Sequence, residues 1–178
     1  MSERLANLLA AAAQLVNDEV RKRLDDELSR TASAPAALVT IAHYRGISIE
    51  ELRAALSLTH SGAVRLVDRL EHDGLVQRAR TGSREVRLSL TQAGRRALRR
   101  LESVRLAATA ELIAPLAAED RRQLELLLRS MLAARTRGEG DLQRICRLCS
   151  FEACESGGRR CPVAEAARTA AAPGVEEH

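Results

Sequence analysis

Cys146, Cys149, Cys154 and Cys161 are the only cysteines in the 178-residue chain, and all four fall within sixteen consecutive residues. They form a C-x2-C-x4-C-x6-C array that runs straight into Pro162. Core packing does not call for such crowding. A C-x2-C pair puts two sulfurs on one tight turn, and four thiolates close a tetrahedral zinc site or hold an iron–sulfur cluster. Gly157 and Gly158 let the intervening loop wrap. Arg144, Arg147, Arg159 and Arg160 flank the array and would offset the negative charge of a four-thiolate centre. The preferred reading is an iron–sulfur cluster, with zinc next. A disulfide switch and a metal-free tail stay open, because spacing does not separate them. No His, Glu or Ser constellation stands beside the thiols to do acid–base or nucleophilic work, so no enzyme is expected. A small metalloprotein or electron carrier is the alternative that this array alone would suggest.

A second group of residues carries charge. Residues 75–100 contain Arg78, Arg80, Arg84, Arg87, Arg95, Arg96, Arg99 and Arg100 against one acid, Glu85, a local net charge of +7 in a chain whose total is +4. Such a patch is an electrostatic footprint for phosphate. Lys22 is the only lysine, so nearly all positive charge is guanidinium, which grips phosphate through paired N–H groups.

Composition bounds what positions these groups. Hydrophobic residues make up 46% of the chain but aromatics only 1%, so Leu, Ala and Val must build the core, which suits packed helices. No uninterrupted apolar run reaches about 18 residues, so no transmembrane helix is expected. Glu3, Asn7 and Gln14 interrupt the apolar start, which argues against a signal peptide. The chain is expected to be cytoplasmic, where clustered cysteines read as a metal site before they read as disulfides.

Periodicity then predicts the elements. Leu5, Leu8, Leu9, Ala12, Leu15, Val16 and Val20 follow a helical rhythm for a long helix ending near residue 30. Ser33 is placed to cap a second helix with Pro35 in its first turn, and Gly46 to stop it. Ser48 and Glu51 form a capping box for a short helix over 49–56. Ser57 and Leu58 turn the chain, and Thr59 caps a helix reaching about residue 73, with Val64, Val67 and Leu70 inward and Gly74 as its stop. Two strands follow, over 75–80 and 85–90, joined by a turn at residues 81–83. Thr91 caps a long helix to about residue 116, broken near Pro115, and a last helix runs over about 119–137 until Gly138 and Gly140 break it. The tail after residue 164 is expected to fray.

Two short helices with a tight turn between them, followed by a β-hairpin, make a winged helix-turn-helix, so the fold class is mainly α. The second helix is narrow enough for a major groove, with its N-terminal residues at the base edges. Thr59, His60, Ser61 and Arg65 lie there, and Arg69 one turn further reaches toward phosphate. Arg78, Arg80, Arg84 and Arg87 of the hairpin are candidate phosphate or minor-groove contacts.

The run LSLTHSGAVRLVDRLEHDGLVQ from Leu56 to Gln77, followed by VRLSLTQAGRRAL from Val86 to Leu98, resembles the MarR family. There a recognition helix ending in RLVDRLE..GLV leads into a wing that closes on LT..G. The resemblance covers residues 5–137. It implies a homodimer whose first and last helices pair, and two recognition helices reading successive major grooves of a pseudo-palindromic operator in double-stranded DNA. Gly82 departs from the acid that the family wing carries at its tip, and Gly62 and Ala63 leave few side chains for base reading.

The expected organisation is a MarR-type unit over 1–137, with dimerisation helices over 1–30 and 92–137 and a DNA-binding lobe over 33–91, then a cysteine-bearing extension over 138–178. The expected function is a sequence-specific transcription regulator, a repressor, responsive to redox state, metal or a small ligand. The extension is expected near the dimer interface and away from the recognition helix. A structural protein that binds DNA without sequence preference is the alternative. Arg84→Ala is predicted to weaken DNA binding across all sequences and to lower the slope of log affinity against log salt by roughly one, read from binding titrations over a salt series. An unchanged slope would remove Arg84 from the phosphate contacts.

Overall fold

A computed structural model describes residues 2–27, 33–81 and 85–171, and the predicted hairpin tip with Arg84 lies outside them. The element order is α1 (Glu3–Glu27), α2 (Ala34–His43), β1 (Ile47–Ser48), α3 (Ile49–Ala55), α4 (His60–His72), β2 (Val76–Thr81), β3 (Glu85–Leu90), α5 (Gln92–Ile113) and α6 (Ala118–Ala134). Beyond these come α7 (Glu139–Ile145), α8 (Phe151–Glu155), a 3-10 turn (Ser156–Gly158) and α9 (Pro162–Ala171). None of these helices is long and apolar enough to cross a membrane.

The lobe over residues 33–91 is built around α2, which is buried on every side from Ala34 to Ile41. Leu38, Leu52, Val67, Leu70, Val76 and Leu88 are its largest fully buried side chains. Each such aliphatic side chain is worth about 1.5–3 kcal/mol when taken from water. The sheet closes one side in the order β1-β3-β2, antiparallel throughout. Val76 pairs with Leu90 and Arg78 with Leu88, which puts Leu88 and Leu90 inward as their alternation with Arg87 and Ser89 predicts. The short strand β1, pairing Ile47 with Leu88, was not predicted, since two residues show no period.

Three caps hold as predicted. Ser48 and Glu51 make both bonds of the capping box. Thr59 accepts from the Gly62 N–H at 3.1 Å, and Thr91 from the Gly94 N–H at 3.0 Å. Ser33 does not cap: it occupies the N-cap position, but already has helical angles and its side chain makes no capping bond. Ala63 and Leu66 are buried in α4 beside Val67 and Leu70, whereas Val64 is only half-buried.

Residue 94 must be glycine. A Cβ there would stand 2.0 Å from the Leu75 carbonyl oxygen. Thr91 clasps the same point: its N–H donates to Leu75 O at 3.0 Å and its hydroxyl to Gly74 O at 2.6 Å. The LT..G pattern is thus a joint between the base of the wing and the first turn of α5.

The α1 and α5 helices pack together, tied by the Arg23–Glu111 ion pair. Both leave apolar side chains outside, including Leu5, Leu8, Leu15 and Leu106. The α6 helix has no buried residue at all, and Leu126, Leu127, Leu128 and Met131 are exposed.

Two expectations for the C-terminus are corrected. The α6 helix already stops at Ala134 with Arg135 as its C-cap, and Gly138 does not break it but stands as the N-cap of α7, whose first residues are Glu139 and Gly140. The segment after residue 164 is not frayed through residue 171: it forms most of α9, which buries Val163 and Ala167 and packs on α6 and α7. Gly94→Ala is expected to lower folding stability by about 1–3 kcal/mol, as overpacking against backbone does. Gly140→Ala, which meets nothing within 4 Å in a helical site, should be neutral or stabilising by up to about 1 kcal/mol. Denaturant unfolding of the two variants beside the parent checks the pair.

Candidate nucleic-acid interface and cysteine unit

The inward stripe of α4 turns His60, Ser61, Arg65 and Arg69 to the surface, where all four are exposed. Thr59 is taken up as the N-cap, and Gly62 serves it, since a Cβ there would come within 2.9 Å of the Thr59 hydroxyl. The missing side chain at residue 62 therefore follows from how the helix begins. His60 Nδ1 lies 3.7 Å from Glu50, which also accepts from Arg53 Nε at 2.8 Å. Arg69 Nε is 3.8 Å from Asp73, an exposed pair that leaves its guanidinium accessible.

The wing arginines divide. Arg78 does not reach outward as predicted: Nη2 donates to Asp68 at 2.6 Å and Nη1 to Glu71 at 2.8 Å, with the side chain half-buried. It fastens β2 to the flank of α4. Arg87 donates to the Gly46 carbonyl at 2.9 Å and lies 3.4 Å from Glu51, so it ties β3 to the α2–β1 connection. The side chain of Arg80, like the whole of Arg84, lies outside what is described. Asp68 and Glu71 were the missed residues. Two acids one turn apart on a helix meant for phosphate are a signal that a cation must neutralise them.

The extension folds back as a unit of three short helices. Cys146 and Cys161 are buried together with Leu142, Val163 and Ala167, with Cys149 packed against them and Cys154 exposed. The Cys149 N–H donates to the Cys146 carbonyl at 2.9 Å, the tight turn expected of C-x2-C. A hydrogen bond from Cys146 and the nearby Arg105 and Arg147 guanidinium groups lower the Cys149 thiol to about 7, against the cost of burial. The same bond, burial and the charges of the other three cysteines push Cys146 far up. All four thiols thus share one electrostatic neighbourhood. No three His, Cys, Asp or Glu side chains among the described residues are set as a metal-ligand group.

The unit sits on the end of α2 as well as on α6. Phe151 stacks on His43 with ring centroids 3.6 Å apart and planes 12° apart. The Tyr44 hydroxyl donates to Glu139, and this bond together with burial raises the tyrosine well above its ordinary range. Burial lowers His43, which favours the neutral ring in the stack. The gap left between α2 and α7 is about 10 Å³. Arg159 pairs with Glu125 of α6 at 3.1 Å.

The comparisons with known proteins bear on this arrangement of helices, wing and exposed recognition helix. The MarR family model matches residues 28–85, the segment from the α1–α2 connection to the start of β3. A MarR family protein from Bacillus stearothermophilus has a solved structure 27% identical, covering 74% of this chain and 95% of its own, with a TM-score of 0.65. The chain is similar to the MarR family in this segment and in its winged-helix fold. Wild-type MarR of E. coli, in its apo form, is 27% identical over 72% of this chain and 96% of its own, with a TM-score of 0.59. A Mycobacterium tuberculosis MarR family protein in complex with p-aminosalicylic acid is 29% identical over 71% of this chain and 97% of its own, with a TM-score of 0.57. No curated protein matches the chain.

MarR-family proteins are transcription regulators rather than enzymes, and they bind DNA and act as dimers. These neighbours cover about three quarters of the chain or less. Arg65→Ala is expected to leave folding stability within about 0.5 kcal/mol while costing about 1–3 kcal/mol in DNA binding and relaxing base preference at its contact. Arg78→Ala should instead lose roughly 1 kcal/mol of folding stability as its ion pairs go. Unfolding curves and binding titrations on both variants separate the two roles.

Proposed function

We propose that the chain is a sequence-specific repressor that binds a pseudo-palindromic operator as a homodimer, with its affinity set by a signal received at the cysteine-bearing unit. The observation that carries this reading is the exposed His60–Ser61–Arg65 edge of α4, held beside the wing by Arg78. A helix presenting its N-terminal turn in this way fits a major groove, and the wing base beside it is positioned for the flanking backbone. The reading of a repressor follows from simple occupancy: a dimer covering two successive grooves excludes other proteins from that stretch.

The apolar faces of α1, α5 and α6 support the homodimer. Leu5 is 64% exposed and Leu127 59% exposed, values that an isolated soluble protomer would not sustain along three helices at once. Pairing of like faces about a two-fold axis covers both sets together. It also matches a two-fold operator, since two recognition helices then meet half-sites about one helical turn apart.

Selection from a pool of randomised duplexes is expected to enrich a two-fold motif whose half-sites are centred about 10 base pairs apart. Enrichment of no motif, with binding retained at low salt, would favour the non-specific structural reading. Absence of DNA binding at any salt would leave only the metalloprotein alternative. Leu127→Glu is expected to shift sedimentation from dimer toward monomer and to reduce operator affinity with it.

A further inference from the structure

The residues from α7 to α9 make a unit of 33 residues with cysteines at the heart of its small apolar cluster. Two of the five buried members of its apolar cluster are Cys146 and Cys161, and Cys149 packs on them. Its helices run to seven, five and ten residues, so little hydrocarbon is available to hold them. Units below about 40 residues seldom hold a fixed fold on hydrocarbon alone and commonly need a disulfide or a metal. All four cysteines are free thiols here.

The backbone is shaped to bring those thiols together. Gly157 and Gly158 both take left-handed angles, with φ of 70° and 75°, a pair of consecutive conformations that side chains with a Cβ resist. They reverse the chain between Cys154 and Cys161, so that Cys161 returns beside Cys146. Cys146 and Cys149 are already on one hydrogen-bonded turn.

We propose that Cys146, Cys149, Cys154 and Cys161 hold one thiophilic metal centre per chain, an iron–sulfur cluster or a zinc ion, and that this centre fixes α2 through Phe151 and Glu139. The free thiols are not set as a ligand group, so binding must draw the four sulfurs inward, as metal sites coupled to local folding do. Drawing them in orders α8, whose first residue stacks on His43, and α7, whose first residue accepts from Tyr44. Both partners lie at the C-terminal end of α2, which is the central helix of the DNA-binding lobe. On the other side, Arg159 and α9 hold the unit to α6. The centre therefore bridges the DNA-binding lobe and the helices on which the dimer is proposed to form. The link to DNA affinity rests on the function proposed above, whereas the site itself does not.

The test uses the full chain purified without oxygen. Elemental analysis, acid-labile sulfide and absorption spectra should report either iron with sulfide or one zinc per chain. Chelated protein should take up Co(II) with the visible bands of a tetrahedral thiolate site. Cys149→Ser and Cys161→Ser should each weaken that uptake. Neither metal in the purified protein and no thiolate spectrum with Co(II) would overturn the site. Cobalt uptake by the parent keeps this arm decisive even where a serine variant folds poorly. Operator affinity is then compared for loaded parent, chelated parent and loaded Phe151→Ala. A change of about 5- to 150-fold on chelation, largely lost in Phe151→Ala, is the expected result. Equal affinities in all three would overturn the coupling and leave a structural site. Metal bound through the four cysteines with no DNA binding in any state would uphold the site and sink the repressor reading instead.

Discussion

The contact on which the DNA-binding lobe depends is the approach of the α5 backbone at Gly94 to the Leu75 carbonyl. It brings two pieces of chain within a distance that excludes a methyl group. Thr91 uses both its N–H and its hydroxyl to hold the same spot. Because Leu75 directly follows Gly74 at the end of α4, this joint fixes α4, the wing and the start of α5 relative to one another. A rigid joint is useful where one end must meet a groove and the other a partner protomer.

Around that joint the arginines share the work unequally. Arg78 and Arg87 spend their hydrogen bonds inside the protein, one on two carboxylates and the other on a carbonyl and a carboxylate. Arg65 and Arg69 stay at the surface. A count of cations along the sequence therefore overstates the charge offered to DNA. The internal pairs have their own use: they set the angle between wing and helix, which decides whether both meet the duplex together.

Much of this was legible in the residues. Caps at Ser48, Thr59 and Thr91 have local signatures, and the alternation through Val86, Leu88 and Leu90 gives the period of a half-buried strand. Local signals failed where tertiary partners decide. Ser33 looks like a cap but makes no capping bond. Arg78 looks like a phosphate ligand until Asp68 and Glu71 are brought to it by the fold. The Ala-rich stretch after Cys161 looks unfastened, since nothing in its own composition shows that α6 and α7 cover it. Within the cysteine cluster, sequence supplied the spacing, and the fold added the contact of Phe151 with His43, a long-range pairing that no spacing rule encodes.

The absence of any buried residue in α6 has a consequence for how the chain persists. In the proposed homodimer the side of that helix carrying Leu126, Leu127, Leu128 and Met131 gains its hydrophobic cover from a second copy. Assembly and folding then become one equilibrium, governed by mass action. The melting temperature of such a protein is not a constant of the sequence but rises with protomer concentration. In a cell, the number of copies made would set the fraction able to persist as well as the fraction of operators filled. Scarce chains would lose their shelter and be exposed to proteolysis, so a regulator of this build carries a threshold of abundance in its own thermodynamics.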